Sequence, residues 1–209
     1  MDPTVLKTLL ADVVELTGEH IVLVSVSCGL AILIGVGLGI LGTRHAALRR
    51  VSVSIASVLQ TIPSLALFGF LLPIPVIGGI GKHTAIFSLV LYSLLPILRN
   101  TIVGIASVDP PVREAAIAMG MTDSQLLRLV ELPLAAPTIL AGIRIALVTN
   151  IGTAVIAAVI GGGGLGDLIF RGVASVNTIE ILAGAIPAAI LALVADAGMS
   201  ALERAIARK

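Results

Sequence analysis

Two charged side chains, Arg144 and Asp196, fall inside long apolar runs, each roughly two helical turns in from the end of its run. Charge in such places faces the protein interior and finds a partner, so opposite signs on two runs suggest an ion pair that holds a gate. The other reading has Arg144 snorkelling to an interface while Asp196 borders a water-filled vestibule. Gln60, Thr61, Ser64, Asn100, Thr149 and Asn150 also lie within or at the ends of apolar runs. They can line a wet pathway or join helices by hydrogen bonds. Gly161, Gly163 and Gly166 satisfy G-x-G-x-x-G, but no strand precedes them, which argues against a dinucleotide site. Gly81-Lys82 is a near miss to a phosphate-binding loop, with Val76 in place of its first glycine and His83 in place of Ser or Thr. His20, His45 and His83 are isolated near the ends of apolar runs and read as interfacial residues. With no H-E-x-x-H, no G-x-S-x-G and no nucleophile beside a base, the chain offers neither a metal site nor catalytic machinery.

The elements that hold these residues follow from composition. Of 209 residues, 57% are hydrophobic and only 12% charged, and the mean hydropathy is +1.14. Soluble domains have about a quarter of their residues charged, so this is a membrane protein. The 22 Gly and 10 Pro occur partly inside the apolar runs, as suits membrane helices. Cys28, the single cysteine, lies within a run and reads as a small packing residue. Asp2, Asp12, Glu15 and Glu19 make the first twenty residues acidic, unlike a secretory signal. Asp2-Pro3 suits a helix start, and Val5, Leu6, Leu9, Leu10, Val13 and Val14 repeat at helical spacing. A helix over 1–20 lying along the outer membrane surface is therefore expected.

Residues 21–42 carry no charge, and 22 helical residues reach roughly 33 Å, enough to cross a hydrocarbon core. Further spans are expected at about 51–72, 84–107, 134–160 and 178–202, giving one all-α bundle of about five transmembrane helices. Pro63, Pro96, Pro137 and Pro187 can each kink a span. Arg44, Arg49, Arg50, Arg99, Arg113, Arg128, Arg204, Arg208 and Lys209 then gather on one side, against Lys7, Lys82 and Arg171 on the other. The bias places the N-terminus outside, and the C-terminus and the loop 108–133 in the cytoplasm.

Within that loop, Asp109-Pro110-Pro111 reads as a cap and first turn, opening a short helix over 112–119 that stops at Gly120. Thr122 and Gln125 form a capping-box pattern, so a second short helix is expected over 125–132, ended by Pro133. The product is a helix, glycine, helix elbow.

Glu114-Ala115-Ala116, Gly120 after three residues, and Val130-Glu131-Leu132-Pro133 after nine more resemble the EAA loop of ABC importer permeases, with Val130 where Ile is commoner. The runs Gln60 to Ala66, Leu95 to Thr101 and Gly161 to Asp167 extend the resemblance over nearly the whole chain. They are similar to permeases for glycine betaine, choline and carnitine. Methionine permeases share the five-span plan and are the nearest competitor. The resemblance implies that the elbow, with Glu114, Ala115, Ala116, Gly120, Leu132 and Pro133, is a coupling helix docked on an ATP-binding subunit. It implies two ATPase subunits that hold ATP and Mg, a second permease copy or paralogue, and an extracytoplasmic substrate-binding protein in a bacterial inner membrane. No cofactor on this chain, no enzymatic role and no nucleic-acid partner are expected. Gln60, Pro63, Arg99, Asn100, Arg144, Asn150, Asp196, Gly163, Gly164 and Gly166 become pathway or gate candidates. Four Phe and one Tyr are few for an aromatic cage around a quaternary ammonium, which leaves selection to the binding protein. An ion-coupled transporter or channel remains the reading from a different class, distinguished by uptake without an ATPase.

Overall fold

The computed structural model describes residues 3–75 and 77–207. Asp2, Val76, Arg208 and Lys209, which entered the readings above, lie outside the described residues. Among the described residues every regular element is helical. Four helices are long and apolar enough to cross a membrane, or five if one sharply bent pair is counted as a single span.

The first helix, α1, runs unbroken from Pro3 to Arg44, 42 residues. At 1.5 Å per residue it is about 63 Å long, about twice the thickness of a hydrocarbon core. Residues 3–20 are therefore the continuation of the first span and not a separate helix on the membrane surface. Two of their acidic groups have tertiary partners: Asp12 is 2.7 Å from Arg171, and Glu19 is 2.7 Å from Lys82. His20, expected at the interface, is fully buried, and its Nε2 lies 3.1 Å from the Ile151 carbonyl.

The expected span at 51–72 is broken. Helix α2 (Ala46–Thr61) and helix α3 (Ser64–Leu71) meet at 106°. Pro63 excludes the helical conformation at Ile62, which is extended with φ −73° and ψ 126°. The carbonyl freed at Ile62 accepts the Tyr92 hydroxyl, and Gln60 Nε2 donates to the Tyr92 carbonyl at 2.9 Å. The break is thus fastened to the next long helix, α4 (Lys82–Ala106). Pro96 sits inside α4 without interrupting it.

The elbow follows as α5 (Pro110–Ala118) and a single turn α6 (Asp123–Leu126), succeeded by a π-helical turn, Leu127–Glu131. Helix α7 (Leu132–Ile156) ends in a 3₁₀ turn, Ala157–Ile160. A short α8 (Gly166–Ala174) precedes α9 (Thr178–Ala207). One end of the bundle thus holds the elbow, and the other the glycine segment.

Helix α4 is the hub, packed on α1 and α7, while α2 leans on α1 and α4 and α9 on α7. In lipid such contacts depend on close backbone approach and interhelical hydrogen bonds. Gly39 lies against Thr101, and Gly142 against Asn100 and the Pro96 carbonyl. Asn150, 2% exposed, donates from Nδ2 to Ser27 Oγ at 3.1 Å and to Ser93 Oγ at 2.9 Å, tying α7 to α1 and α4. Around this lock pack Leu23, Val24, Phe68, Leu89 and Ile151. Cys28 is buried nearby on α1.

Candidate functional site

In the elbow, Asp109 precedes α5 without a side-chain capping bond, and the two prolines occupy the first turn. After Ala118 the chain turns through Gly120, whose φ of +82° favours glycine, and the Met121 N–H returns to the Ala116 carbonyl at 3.2 Å. The Thr122–Gln125 capping box is present in both directions: Gln125 N–H donates to Thr122 Oγ1 at 3.4 Å, and Thr122 N–H to Gln125 Oε1 at 2.8 Å. Pro133 does not end the second helix. The chain passes through the wide π turn straight into α7, and Pro133 falls in the first turn of α7, where a missing N–H costs least.

Glu114 and Ala115 are exposed and Ala116 is buried. Glu114 makes no ion pair among the described residues. Leu132 is half-buried and Pro133 exposed. The acid that holds the elbow is Glu131, whose side chain is 0% exposed. Arg44 Nη2 donates to its Oε2 at 2.6 Å, and Arg113 Nε lies 3.3 Å from its Oε1. Arg113 also donates to the Ile105 carbonyl at the end of α4. One carboxylate therefore joins α1, α5 and the start of α7. Losing both arginines would strand the carboxylate buried and charged, whereas losing one leaves it the other. In the sequence Glu131 stands only as part of the Val130-Glu131-Leu132-Pro133 motif. The signal for its role is an acid on the side of the membrane where Arg44, Arg113 and Arg128 gather.

At the opposite end, Gly161, Gly163 and Gly164 have φ of +73°, +79° and +82°. This left-handed path lets the Gly164 N–H donate to Glu19 Oε2 at 3.2 Å while Lys82 donates to Glu19 Oε1 at 2.7 Å. A Cβ on Gly163 would sit 2.6 Å from Glu19 Oε2, and one on Gly164 3.0 Å from His20 Nδ1. Gly166 opens α8 hard against the Val155 carbonyl. The glycine run is thus a buried turn stitched to α1. Beside it, half-buried Asp167 has its carboxyl pushed up, first by burial and then by the Glu19 carboxylate, against the lowering pull of Arg171 and Lys82. Arg171 is pushed up chiefly by its hydrogen bond to Asp12, and also lies 3.4 Å from Glu180.

The third region is the face turned away from α1. Helix α4 gives Ile97 and Thr101 to glycines of α1, which leaves Arg99 and Val103 on its other side. Helix α7 likewise gives Asn150 and Ile151 to α1, leaving Val148 and Thr149 away from it. Arg144 makes a two-pronged pair with Asp196, Nε to Oδ1 at 2.6 Å and Nη2 to Oδ2 at 2.8 Å, and its Nη1 is 3.5 Å from Glu203. These three border a cavity of about 380 Å³ with Val148 and Thr149. Between α2 and α4, Arg49, Arg50 and Arg99 border a second cavity of about 450 Å³. Of the pathway candidates, Arg144, Asp196 and Arg99 therefore face open space. Asn150 is interior, Gln60 is bound to α4, and Asn100 Nδ2 donates to the Pro96 carbonyl within its own helix at 2.8 Å. Pro63 sits at the exposed α2–α3 corner, and Gly163, Gly164 and Gly166 are buried at the glycine end. Among the described residues no group of three or more His, Cys, Asp or Glu is placed to hold a metal ion.

Residues 31–209 match the family described as binding-protein-dependent transport system inner membrane component. An osmoprotectant import permease protein of Salmonella typhimurium is 48% identical over 184 residues, spanning 87% of this chain and 86% of that protein. A glycine betaine/carnitine/choline transport system permease protein of Bacillus subtilis is 49% identical over 177 residues, 84% of this chain and 76% of that protein. A choline transport system permease protein of Bacillus subtilis is 46% identical over 190 residues, 90% and 83% of the two chains. Among solved structures, a chain of the MetNI methionine ABC transporter in an inward-facing conformation superposes with a TM-score of 0.84 at 25% identity, covering 99% of each chain. A chain of an amino acid ABC transporter has a TM-score of 0.74 at 20% identity, covering 100% of this chain and 98% of that one, a likeness of fold.

Proposed function

Because the chain belongs to the family of binding-protein-dependent transport system inner membrane components, we propose that it is the permease subunit of an ATP-driven importer for quaternary-amine osmoprotectants. The solute class comprises glycine betaine, choline and carnitine. The observation that carries this reading is identity of 45 to 49% to permeases named for those solutes, spread over most of the chain. A methionine importer is supported by likeness of fold at 25% identity, a weaker ground for choosing a solute.

In this reading the chain is a transport subunit. Hydrolysis occurs on two separate ATPase subunits, which hold ATP and Mg and bind the exposed face of the elbow through Glu114 and Ala115. The positive-inside bias supports an N-terminus outside and a C-terminus in the cytoplasm, with the glycine turn toward the extracytoplasmic binding protein. A second permease, identical or paralogous, faces the open side of α4 and α7, and the pathway runs between the two. Arg144 and Asp196 form a gate pair in this pathway, residue 144 at the middle of α7 and residue 196 in the elbow-side half of α9. Aromatic recognition contributes little here: Phe68 is fully buried in the core, and the Tyr92 hydroxyl is spent on Ile62.

The test is uptake of labelled glycine betaine, choline and methionine into cells expressing the chain with its ATPase and binding protein, with and without Glu114→Lys. Betaine or choline uptake that falls by about tenfold or more in the variant, with the complex still in the membrane, is the expected result. Uptake of methionine alone would move the solute, and uptake indifferent to Glu114 and to the ATPase would overturn the coupling role.

A further inference from the structure

We propose that Glu131 is a positioning residue through which movement of the elbow reaches α1, and that α1 carries this movement to the glycine turn at the far end of the bundle. The inference rests on the reading of 109–133 as the ATPase dock.

Helix α5 and helix α1 are distant in the chain, and a single buried carboxylate bridges them. Arg113 on α5 meets Glu131 at 3.3 Å, and Glu131 meets Arg44, the last residue of α1, at 2.6 Å. The same Arg113 grips the Ile105 carbonyl, so a displacement of α5 pulls on α1 and α4 together. Glu131 also ends the one π-helical turn among the described residues, where the backbone register is loosened and a small rotation of the elbow is absorbed. Helix α1 suits transmission: it is continuous from Pro3 to Arg44 with no proline past its first residue. From Arg44 to Glu19 is 25 residues, or about 37 Å of helix. At that far end Glu19 holds both the Gly164 N–H and Lys82, and His20 is wedged beneath Gly164 and against Ile151. The stretch of α1 from Glu19 to Arg44 is thus bounded by charge clamps, one on the turn that follows α7 and one on the elbow.

The experiment uses the complex of this chain with its ATPase and binding protein in liposomes, with glycine betaine uptake and ATP hydrolysis measured in one sample. Glu131→Gln, which keeps the shape and removes the charge, is expected to lower the solute moved per ATP hydrolysed by about tenfold. Glu131→Asp is expected to retain part of the coupling. A second readout places a single thiol beside the glycine turn, using Cys28→Ala with Ile80→Cys. Ile80 is 85% exposed and lies against Gly161. Its rate of reaction with a membrane-impermeant maleimide is expected to change with ATP in the parent and to become insensitive to ATP in Glu131→Gln. An unchanged coupling ratio together with ATP-sensitive labelling in Glu131→Gln would overturn the proposal. Should that variant fail to assemble, Arg44→Gln decides the same comparison, because Arg44 is 37% exposed and its loss leaves Arg113 on the carboxylate. A parent complex without ATP-dependent uptake would instead refute the functional reading beneath it.

Discussion

The α4–α7 contact offers a matched pair of substitutions, Gly142→Ala and Gly152→Ala. Both glycines lie within α7, so both changes bring the same gain in helix propensity, up to about 1 kcal/mol in water. A Cβ at Gly152 meets nothing within 4 Å. A Cβ at Gly142 would sit 2.5 Å from Asn100 Cβ and 2.7 Å from the Pro96 carbonyl oxygen. Carbon atoms attract best at about 3.5–4.0 Å, so α4 and α7 would have to part by about 1 Å at this point. Neither neighbour can yield by a rotamer change, because one atom belongs to the backbone and the other is attached directly to it. Overpacking of this kind costs about 1–3 kcal/mol, and here the displacement also disturbs the Asn150 lock about two turns along α7. Gly152→Ala is thus expected to melt at or slightly above the parent, and Gly142→Ala clearly below it. The assay is thermal unfolding of the solubilised chain, followed by the accessibility of buried Cys28 to a thiol dye. Equal melting of the two variants would refute the argument that backbone approach at Gly142 holds these helices together.

Two further predictions follow from the charged groups. Arg144→Glu and Asp196→Arg should each abolish uptake while the chain stays in the membrane, and the double reversal should restore part of it; a double variant as inactive as either single one would remove the pair as a gate. Asp167 has a raised folded-state pKa, so the folded chain holds its proton more tightly than the unfolded one. This contribution favours the fold below the unfolded value and is lost as pH rises through the acidic range to the folded value. Asp167→Asn should therefore flatten the fall in melting temperature on going from about pH 4 to 7, and a parallel profile for parent and variant would count against burial as the cause.

Much of this architecture is legible in the sequence. The charge-free run at 21–42 and the long runs behind α4 and α9 are set by composition. The elbow is set by local chemistry, since Gly120 and the Thr122–Gln125 box act within a few residues of chain. What escaped depends on partners distant in sequence. The apolar repeat from Val5 to Val14 predicts a surface helix because nothing local reveals Arg171, Lys82 or the Gly164 N–H, the partners of Asp12 and Glu19. Glu131 is buried for the same kind of reason, its two arginines lying 87 and 18 positions away in the chain. Pro63 predicts a kink, but the 106° bend is also held by Tyr92, whose hydroxyl donates to the freed Ile62 carbonyl and whose own carbonyl accepts from Gln60 Nε2. Proline as a stop failed at Pro133, where a π turn upstream removes the conflict.

The position of α4 at the centre of the bundle also governs how the chain is born. Helix α1 emerges first, yet the helix it chiefly packs on begins at Lys82, and the Asn150 that pairs with its Ser27 comes later still. At about 5–20 residues per second, α1 spends several seconds in the bilayer before α4 arrives, and several more before α7. During that interval only lipid and the short α2 can hold it, which is consistent with residues 21–42 carrying no charge. Cells that translate this chain faster than its first helix can settle should accumulate copies whose Ser27 never meets Asn150, and those copies would be the natural prey of membrane proteases.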